Sequence, residues 1–128
     1  MDGLERIQPG ITGELARTVD ETLVTRHVGG AGILGTPFMI LLMENASHFA
    51  VEPFLPPGTT TVGFEVCVKH LAPTMLGGKV RVSSRLVEVD GRKLRFEVEC
   101  HEGDKLCGTG THRRTIVAAT TPVECDGG

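Results

Sequence analysis

The chain has 128 residues, a length that suits one domain with a substantial hydrophobic core. Hydrophobic residues make up 40% and charged residues 23%, and the net charge is −3, so the composition lacks the basic character of proteins that bind nucleic acid or anionic membranes. Aromatic residues are only 4%, without Trp or Tyr, which removes the stacking surfaces used to bind single strands. We therefore expect a soluble globular protein with no nucleic-acid or membrane partner.

The first residues and the cysteines favour a cytoplasmic location. The N-terminal sequence MDGLERIQPG has acidic residues and no apolar signal-peptide core, and the apolar run at 38–43 is too short to span a bilayer. The histidines form no metal-ligand motif, so no metal site is predicted. One domain is expected over residues 1–128, with frayed ends at about 1–10 and 118–128. Four cysteines without a C-x-x-C pair are expected to be free thiols: Cys67, Cys100, Cys107 and Cys125.

The segment before the most apolar run is rich in glycine. Residues 30–35, GAGILG, fit the dinucleotide-binding pattern G-x-G-x-x-G, with Glu52 near the spacing of a ribose-binding acid. That motif requires alternating parallel strands and helices, whereas the sequence after residue 55 is typical of consecutive antiparallel strands. The Walker pattern also fails, because Thr36 occupies the lysine position. We interpret the segment as a loop whose N–H groups, with the following helix start, favour an anion or oxyanion.

A helix is predicted from Thr36 to about Glu52. Thr36 is a preferred N-cap residue, Pro37 suits the first helical position, and the prolines after Glu52 end the helix. The run FMILLM at 38–43 is apolar on all sides, which predicts a fully buried helix. Glu44 follows this run, and a carboxylate in such surroundings needs a partner, a raised pKa or a chemical task.

The remaining sequence predicts strands. Residues 11–27 hold two loose apolar alternations, which indicate a strand or strand pair at a sheet edge. Residues 60–70 alternate cleanly, and the period carries His70 to the end of the apolar face, toward the helix. The residues predicted to share that face are Val62, Phe64, Val66 and Val68.

Three further strands are predicted at 79–89, 93–101 and 105–117. Asp90-Gly91 is a strong hairpin signal, and residues 102–104 supply a second turn. Gly108 and Gly110 share a face, which indicates a bulge or the close approach of another backbone.

These elements predict an α+β architecture: a strand or strands, one long helix, and a four-stranded antiparallel meander. A curved antiparallel sheet wrapped around one helix is the hot-dog fold, which covers the apolar face of the sheet. It leaves open sheet edges and a small core, so a homodimer is expected.

The stretch 33–117 resembles the fluoroacetyl-CoA thioesterase family of hot-dog proteins. The resemblance depends on four segments in order and at similar separations: GTPFMILLMENA, VGFEVCVKHLAPT, VDGRKLRFEVE and GTGTHRRTIV. It implies a catalytic group of Thr36, Glu44 and His70. It also places Gly63 and Arg114 in the acyl-binding surroundings.

The chemistry of thioester hydrolysis suits these residue types. His70 is expected to act as the base and then as the acid for the leaving thiolate, with Glu44 orienting it or acting on the carbonyl. Thr36 attacks, holds the water, or only caps the helix. Backbone N–H groups of Thr36 and Phe38 are the candidate oxyanion donors, which places Phe38 among the substrate-binding residues. No cofactor is implied, because coenzyme A is part of the acyl-CoA substrate.

The departures from the family pattern concern the substrate. Pro37 stands where the family has glycine, and the preceding segment is glycine-rich where bulky lid residues accompany fluoroacetyl selectivity. A short or medium acyl-CoA is therefore expected in place of fluoroacetyl-CoA.

Two other functions fit the same pattern: a non-catalytic acyl-CoA or small-ligand binding dimer, and a hot-dog dehydratase or isomerase. Geometry adds a constraint on any of them. Thr36 and Glu44 are separated by about 12 Å of helical rise, so they can both contact one imidazole only if the site is extended or is shared across a dimer. In a shared site, the second subunit is also expected to contribute Gly63.

Overall fold

The computed structural model describes residues 3–119, so Cys125 and most of the predicted C-terminal fray lie outside it. The described residues form seven strands and one long helix, and short 3-10 turns occur at Glu21–Leu23 and Glu52–Phe54. In chain order the elements are β1 (Thr12–Thr18), β2 (Val24–Thr25), β3 (Ile33–Leu34), α1 (Thr36–Val51), β4 (Thr59–His70), β5 (Lys79–Asp90), β6 (Lys93–Glu102) and β7 (Lys105–Ala118). None of the helices in this part of the chain combines the length and apolar character needed to cross a membrane.

One antiparallel sheet has the strand order β1-β5-β6-β7-β4, and α1 packs on it. This confirms the predicted hot-dog fold, with β1 at one edge. The hairpins after Asp90 and Glu102 are also confirmed, and their turns carry Gly91 and Gly103 at φ values of 62° and 59°. The four-stranded meander was wrong: only β5, β6 and β7 form it, because β4 crosses the sheet to pair with β7 at the opposite edge.

The core lies between α1 and the concave face of the sheet. Met39, Leu42 and Met43 contribute its helical side, and Phe96 is its largest fully buried side chain. A Cβ on Gly13 would lie 2.5 Å from the Ala46 carbonyl oxygen, so glycine at this position allows α1 to approach β1.

A β-bulge at Gly63 to Glu65 changes which residues of β4 face the helix. Val66, Val68 and His70 are partly buried, but Val62 and Phe64 are 46% and 47% exposed. The prediction that these residues share one apolar face was therefore wrong, because strict alternation does not continue through a bulge. Gly63 lies instead against the buried side chains of β7.

The N-cap of the helix lies one residue earlier than predicted. Gly35 is the N-cap, with extended backbone at φ −74° and ψ 141°, and Thr36 is the first helical residue. The helix ends at Val51, close to the predicted Glu52. It is not buried on all sides, since Leu41 is 46% and Phe49 56% exposed.

The first described residues are packed, although fraying was expected there. Ile7 is buried in the core, and the Gly10 N–H donates to the Leu86 carbonyl oxygen at 2.8 Å. Between β1 and α1 the chain adds no second strand to the main sheet: β2 pairs only with β3, as a small ribbon leading into α1.

Candidate active site

The start of α1 and the end of β4 bring Thr36 and His70 together. The Thr36 Oγ1 atom lies 2.8 Å from the His70 Nδ1 atom, in a hydrogen bond between residues far apart in sequence. Thr36 caps nothing, because Gly35 is the N-cap and no side chain caps the helix. The hydroxyl is therefore directed to an imidazole, which is the arrangement of a nucleophile, or of a group that holds water, beside a base.

The His70 imidazole suits the role of base. Burial lowers the pKa of His70 below its ordinary value, which favours the neutral ring near pH 7. When the Thr36 hydroxyl donates to Nδ1, the ring proton lies on Nε2. That Nε2 atom is buried and has no hydrogen-bond partner within residues 3–119. A buried N–H group without an acceptor is unfavourable, so the ring has one donor available for a substrate or for another chain.

Of the two backbone N–H groups predicted to stabilise an oxyanion, those of Thr36 and Phe38, only one is available at the helix start. The Phe38 N–H donates to the Gly35 carbonyl oxygen at 3.0 Å, and Pro37 has no N–H. The Thr36 N–H remains, at the positive end of the helix dipole. The Phe38 ring packs against Gly35, where an added Cβ would lie 2.9 Å from Cδ2.

Glu44 is not brought to this pair. Among the described residues its carboxylate makes neither a hydrogen bond nor an ion pair with His70 or any other group. Burial lowers the pKa of both His112 and Arg114, and the negative charge of Glu44 opposes that lowering at each of them. One chain therefore places the predicted catalytic residues in two groups along α1, as the helical rise indicated.

Arg114 is the centre of the second group. Its side chain is buried, and Gly63 lies directly over it: an added Cβ would be 3.2 Å from Nη1 and 2.8 Å from the His112 Cε1 atom. The guanidinium donates from Nε to Thr61 Oγ1 at 2.8 Å and from Nη2 to the Thr61 carbonyl oxygen at 2.9 Å. The structure thus brings the predicted residues Gly63, Arg114 and Glu44 into one neighbourhood.

His112 and the group that joins α1 to Thr61 were not predicted from the sequence. His112 is 1% exposed, and its Nε2 atom lies 3.2 Å from Arg114 Nη1. His48 Nδ1 lies 2.7 Å from Thr61 Oγ1, and its Nε2 lies 3.5 Å from Glu52. The alternation of β7 places His112 and Arg114 on one face, and this was the available signal for His112.

None of the described cysteines makes a hydrogen bond to Thr36 or His70. Cys67, Cys100 and Cys107 are free thiols, as predicted, and Cys100 and Cys107 are buried. Burial raises the pKa of Cys100 to about 12, so this thiol stays protonated near neutral pH.

Comparisons with known proteins agree on one family. The family described as fluoroacetyl-CoA-specific thioesterase matches residues 18–120. The fluoroacetyl-CoA thioesterase of Streptantibioticus cattleyicolor is 40% identical over 85 residues, which cover 66% of this chain and 61% of that protein. The matched stretch therefore spans less than two thirds of this relative.

Solved structures extend the comparison to the fold. A mutant of the fluoroacetyl-CoA-specific thioesterase FlK, in complex with fluoroacetate and CoA, is 32% identical with a TM-score of 0.80, covering 88% of this chain and 96% of that one. A hot-dog-like protein from Thermanaerovibrio acidaminovorans has a TM-score of 0.82 at 22% identity, covering 92% and 89% of the two chains, and is a likeness in fold.

Proposed function

Because the chain belongs to the fluoroacetyl-CoA-specific thioesterase family, we propose that it hydrolyses a short or medium acyl-CoA to the free acid and CoA. The observation that carries this proposal is the hydrogen bond between Thr36 Oγ1 and His70 Nδ1. A hydroxyl paired with a neutral imidazole is what acyl transfer requires, and Thr36 is exposed to an incoming thioester.

In the proposed reaction, His70 moves one proton at Nδ1. As the Thr36 oxygen, or a water that it holds, attacks the carbonyl carbon, His70 takes the proton and then delivers it to the departing thiolate. The Thr36 N–H at the start of α1 stabilises the negative oxygen. If Thr36 itself attacks, a water repeats these steps on the acyl-threonine. No cofactor takes part, since coenzyme A enters and leaves with the substrate.

Glu44 enters this scheme through a homodimer. Glu44 lies about 12 Å of helical rise beyond Thr36 on α1, and this separation supports a site that combines Thr36 and His70 of one chain with Glu44 of a second copy. The apolar side chains exposed on α1 and on the edge strand β4 support such a dimer: Leu41, Phe49, Val62 and Phe64. Burying that surface is favourable, and the free edge of β4 requires cover.

The acyl group is proposed to be short or medium in length. The FlK mutant holds fluoroacetate and CoA, which supports a small acyl group and a CoA carrier in this family. The loop 26–32 before α1, RHVGGAG, carries no Phe, Tyr or Trp, and Val28 on it is 75% exposed. This open loop favours acyl groups larger than fluoroacetyl.

The test is free-thiol release from a panel of acyl-CoAs, from acetyl and fluoroacetyl to medium chains. We expect turnover on at least one member, and His70→Ala to lower kcat/KM at least about a hundredfold. The matched control is His101→Ala, a histidine on β6 outside the site. Absence of turnover on the whole panel with tight acyl-CoA binding would establish the binding-protein alternative, and double-bond chemistry without thiol release would establish a dehydratase or isomerase.

A second measurement separates the two roles of Thr36. Acid-quenched samples are analysed by mass spectrometry during turnover. An acyl adduct on Thr36 identifies a nucleophile, whereas Thr36→Ala with residual activity and no adduct in the native protein identifies a water-holding group.

A further inference from the structure

The hydrogen bonds of His112 determine its protonation state. Its Nδ1 atom lies 2.8 Å from the Glu65 carbonyl oxygen, and its Nε2 atom lies 3.2 Å from Arg114 Nη1. A guanidinium only donates hydrogen bonds, so Nε2 must accept. The ring is therefore neutral, with its proton on Nδ1, and that proton is donated to the bulged carbonyl of Glu65.

The same contacts define the orientation of Arg114. Three of its five N–H donors are directed: Nε and one on Nη2 to Thr61, and one on Nη1 to His112. One N–H on each terminal nitrogen remains for other acceptors. Because the guanidinium plane is held from both sides, those two donors have fixed directions.

We infer that His112 is a positioning residue for Arg114. Its neutral imidazole is held by the Glu65 carbonyl and accepts a hydrogen bond from the guanidinium on one side, while Thr61 accepts on the other side. These contacts hold the guanidinium under Gly63 and leave two of its N–H donors available to the acyl group. This inference rests on the proposed function, since the resemblance to acyl-CoA thioesterases is what places Arg114 and Gly63 in the acyl-binding surroundings. His112 acts through Arg114 and touches no reacting atom.

The charged surroundings make this arrangement sensitive to protonation. Burial is the main cause that lowers the pKa of His112, and Arg114 lowers it further, while the Glu65 hydrogen bond and the Glu44 charge oppose them. Phe96 of β6 stacks on the ring, with centroids 6.3 Å apart, and adds no charge. If the His112 ring took up a second proton, Nε2 would become a donor facing the donors of the guanidinium. His112 would then have no acceptor for Arg114.

Two substitutions distinguish the effect of the hydrogen-bond acceptor of His112 from the effect of the volume of its ring. In His112→Gln the side-chain oxygen replaces Nε2 as an acceptor, whereas His112→Leu fills similar space without one. We expect His112→Leu to raise KM at least about tenfold, as for the loss of a hydrogen bond to a charged group, with a much smaller change in kcat. We expect His112→Gln to stay within about threefold of the native KM. The matched control is His101→Leu on the neighbouring strand.

A readout independent of turnover uses nitrogen NMR of the full-length protein. We expect native His112 to show the neutral Nδ1–H tautomer. The Arg114 Nε–H signal should be slow to exchange in the native protein and in His112→Gln, and fast in His112→Leu.

The outcomes distinguish this inference from the proposed function. A native protein without thioesterase activity overturns the proposed function, while the tautomer and the Arg114 signal still test the positioning. An Nε2–H tautomer of His112, or a native KM and Arg114 signal in His112→Leu, overturns the inference. If His112→Leu does not fold, the native tautomer and the KM of His112→Gln decide.

Discussion

The hydrogen bond between Thr36 and His70 joins side chains 34 positions apart, and each depends on how its element ends. Thr36 is free to reach His70 because Gly35 takes the N-cap position and leaves the hydroxyl without a capping role. His70 is the last residue of β4, and the bulge earlier in that strand sets the face on which it lies. Two local backbone features thus create one hydrogen-bonded pair of side chains.

The pH dependence of activity follows from the state of His70. The base must be neutral, and its neutral fraction increases as the pH rises through its pKa. Burial lowers that pKa below the ordinary 6.5. We therefore predict that kcat/KM rises with pH on an acidic limb centred below 6.5 and is level by neutral pH, measured on the best acyl-CoA of the panel.

Burial also lowers the pKa of His112, so its effect on the pH profile must be distinguished from that of His70. The pH profile of His112→Gln should keep the acidic limb, because His70 is intact in that protein. A limb centred at or above 6.5, or no limb between pH 4.5 and 7, would contradict the assignment of His70 as a buried base.

At the scale of elements, the bulge of β4 places a glycine over a buried arginine. We predict that Gly63→Ala destabilises the protein by about 1–3 kcal/mol, because the new Cβ would lie 2.8 Å from His112 Cε1 and the closely packed surroundings must shift. KM should also rise, since the displaced groups hold Arg114. Urea unfolding gives the free energy, and steady-state kinetics gives KM.

Cys67→Ala is the control for that substitution, because Cys67 is exposed on the same strand. It should leave the free energy of unfolding and KM within about 0.5 kcal/mol and twofold of the native values. A Gly63→Ala protein as stable as Cys67→Ala would show that the contact with His112 is not tight in solution.

Some elements of the fold could be predicted from the sequence and others could not. The β5–β6 and β6–β7 hairpins were predictable because their turns, Asp90-Gly91 and the one at Gly103, are encoded in adjacent residues. The position of β4 was not, since a strand after a helix can join either edge of a sheet and only the packed core decides. The bulge at Gly63 also escaped prediction, because alternation gives no sign of the extra residue.

The residues of the candidate site were likewise predictable only in part. Thr36 and His70 were found from the helix start, the strand period and the family resemblance, and the structure brings them together. Glu44 was found as an isolated acid, but the sequence could not show that its charge acts on Arg114 and His112. His112 was missed because its role depends on β4 lying beside β7, a non-local contact.

At the scale of the molecule, the two groups of site residues lie along one helix whose outer side is partly apolar. Leu41 and Phe49 are 46% and 56% exposed, and His70 Nε2 is buried without an acceptor in the described part of the chain. A second copy on this surface would cover the apolar side chains and bring another Glu44 toward His70. The proposed dimer therefore accounts for the exposed surface and for the divided site together.

Mixing two inactive variants tests this arrangement. Glu44→Ala and His70→Ala should each lose activity as homodimers, whereas a dimer of one chain of each keeps one complete site if Glu44 serves the other chain's His70. Refolding the differently tagged variants together should give about half mixed dimers, and each mixed dimer should have about half of native activity because one of its two sites is complete. Activity is measured on dimers purified through both tags, after light scattering has established the dimer mass. Mixed dimers without activity would mean that Glu44 and His70 act within one chain, because such dimers would then contain no complete site.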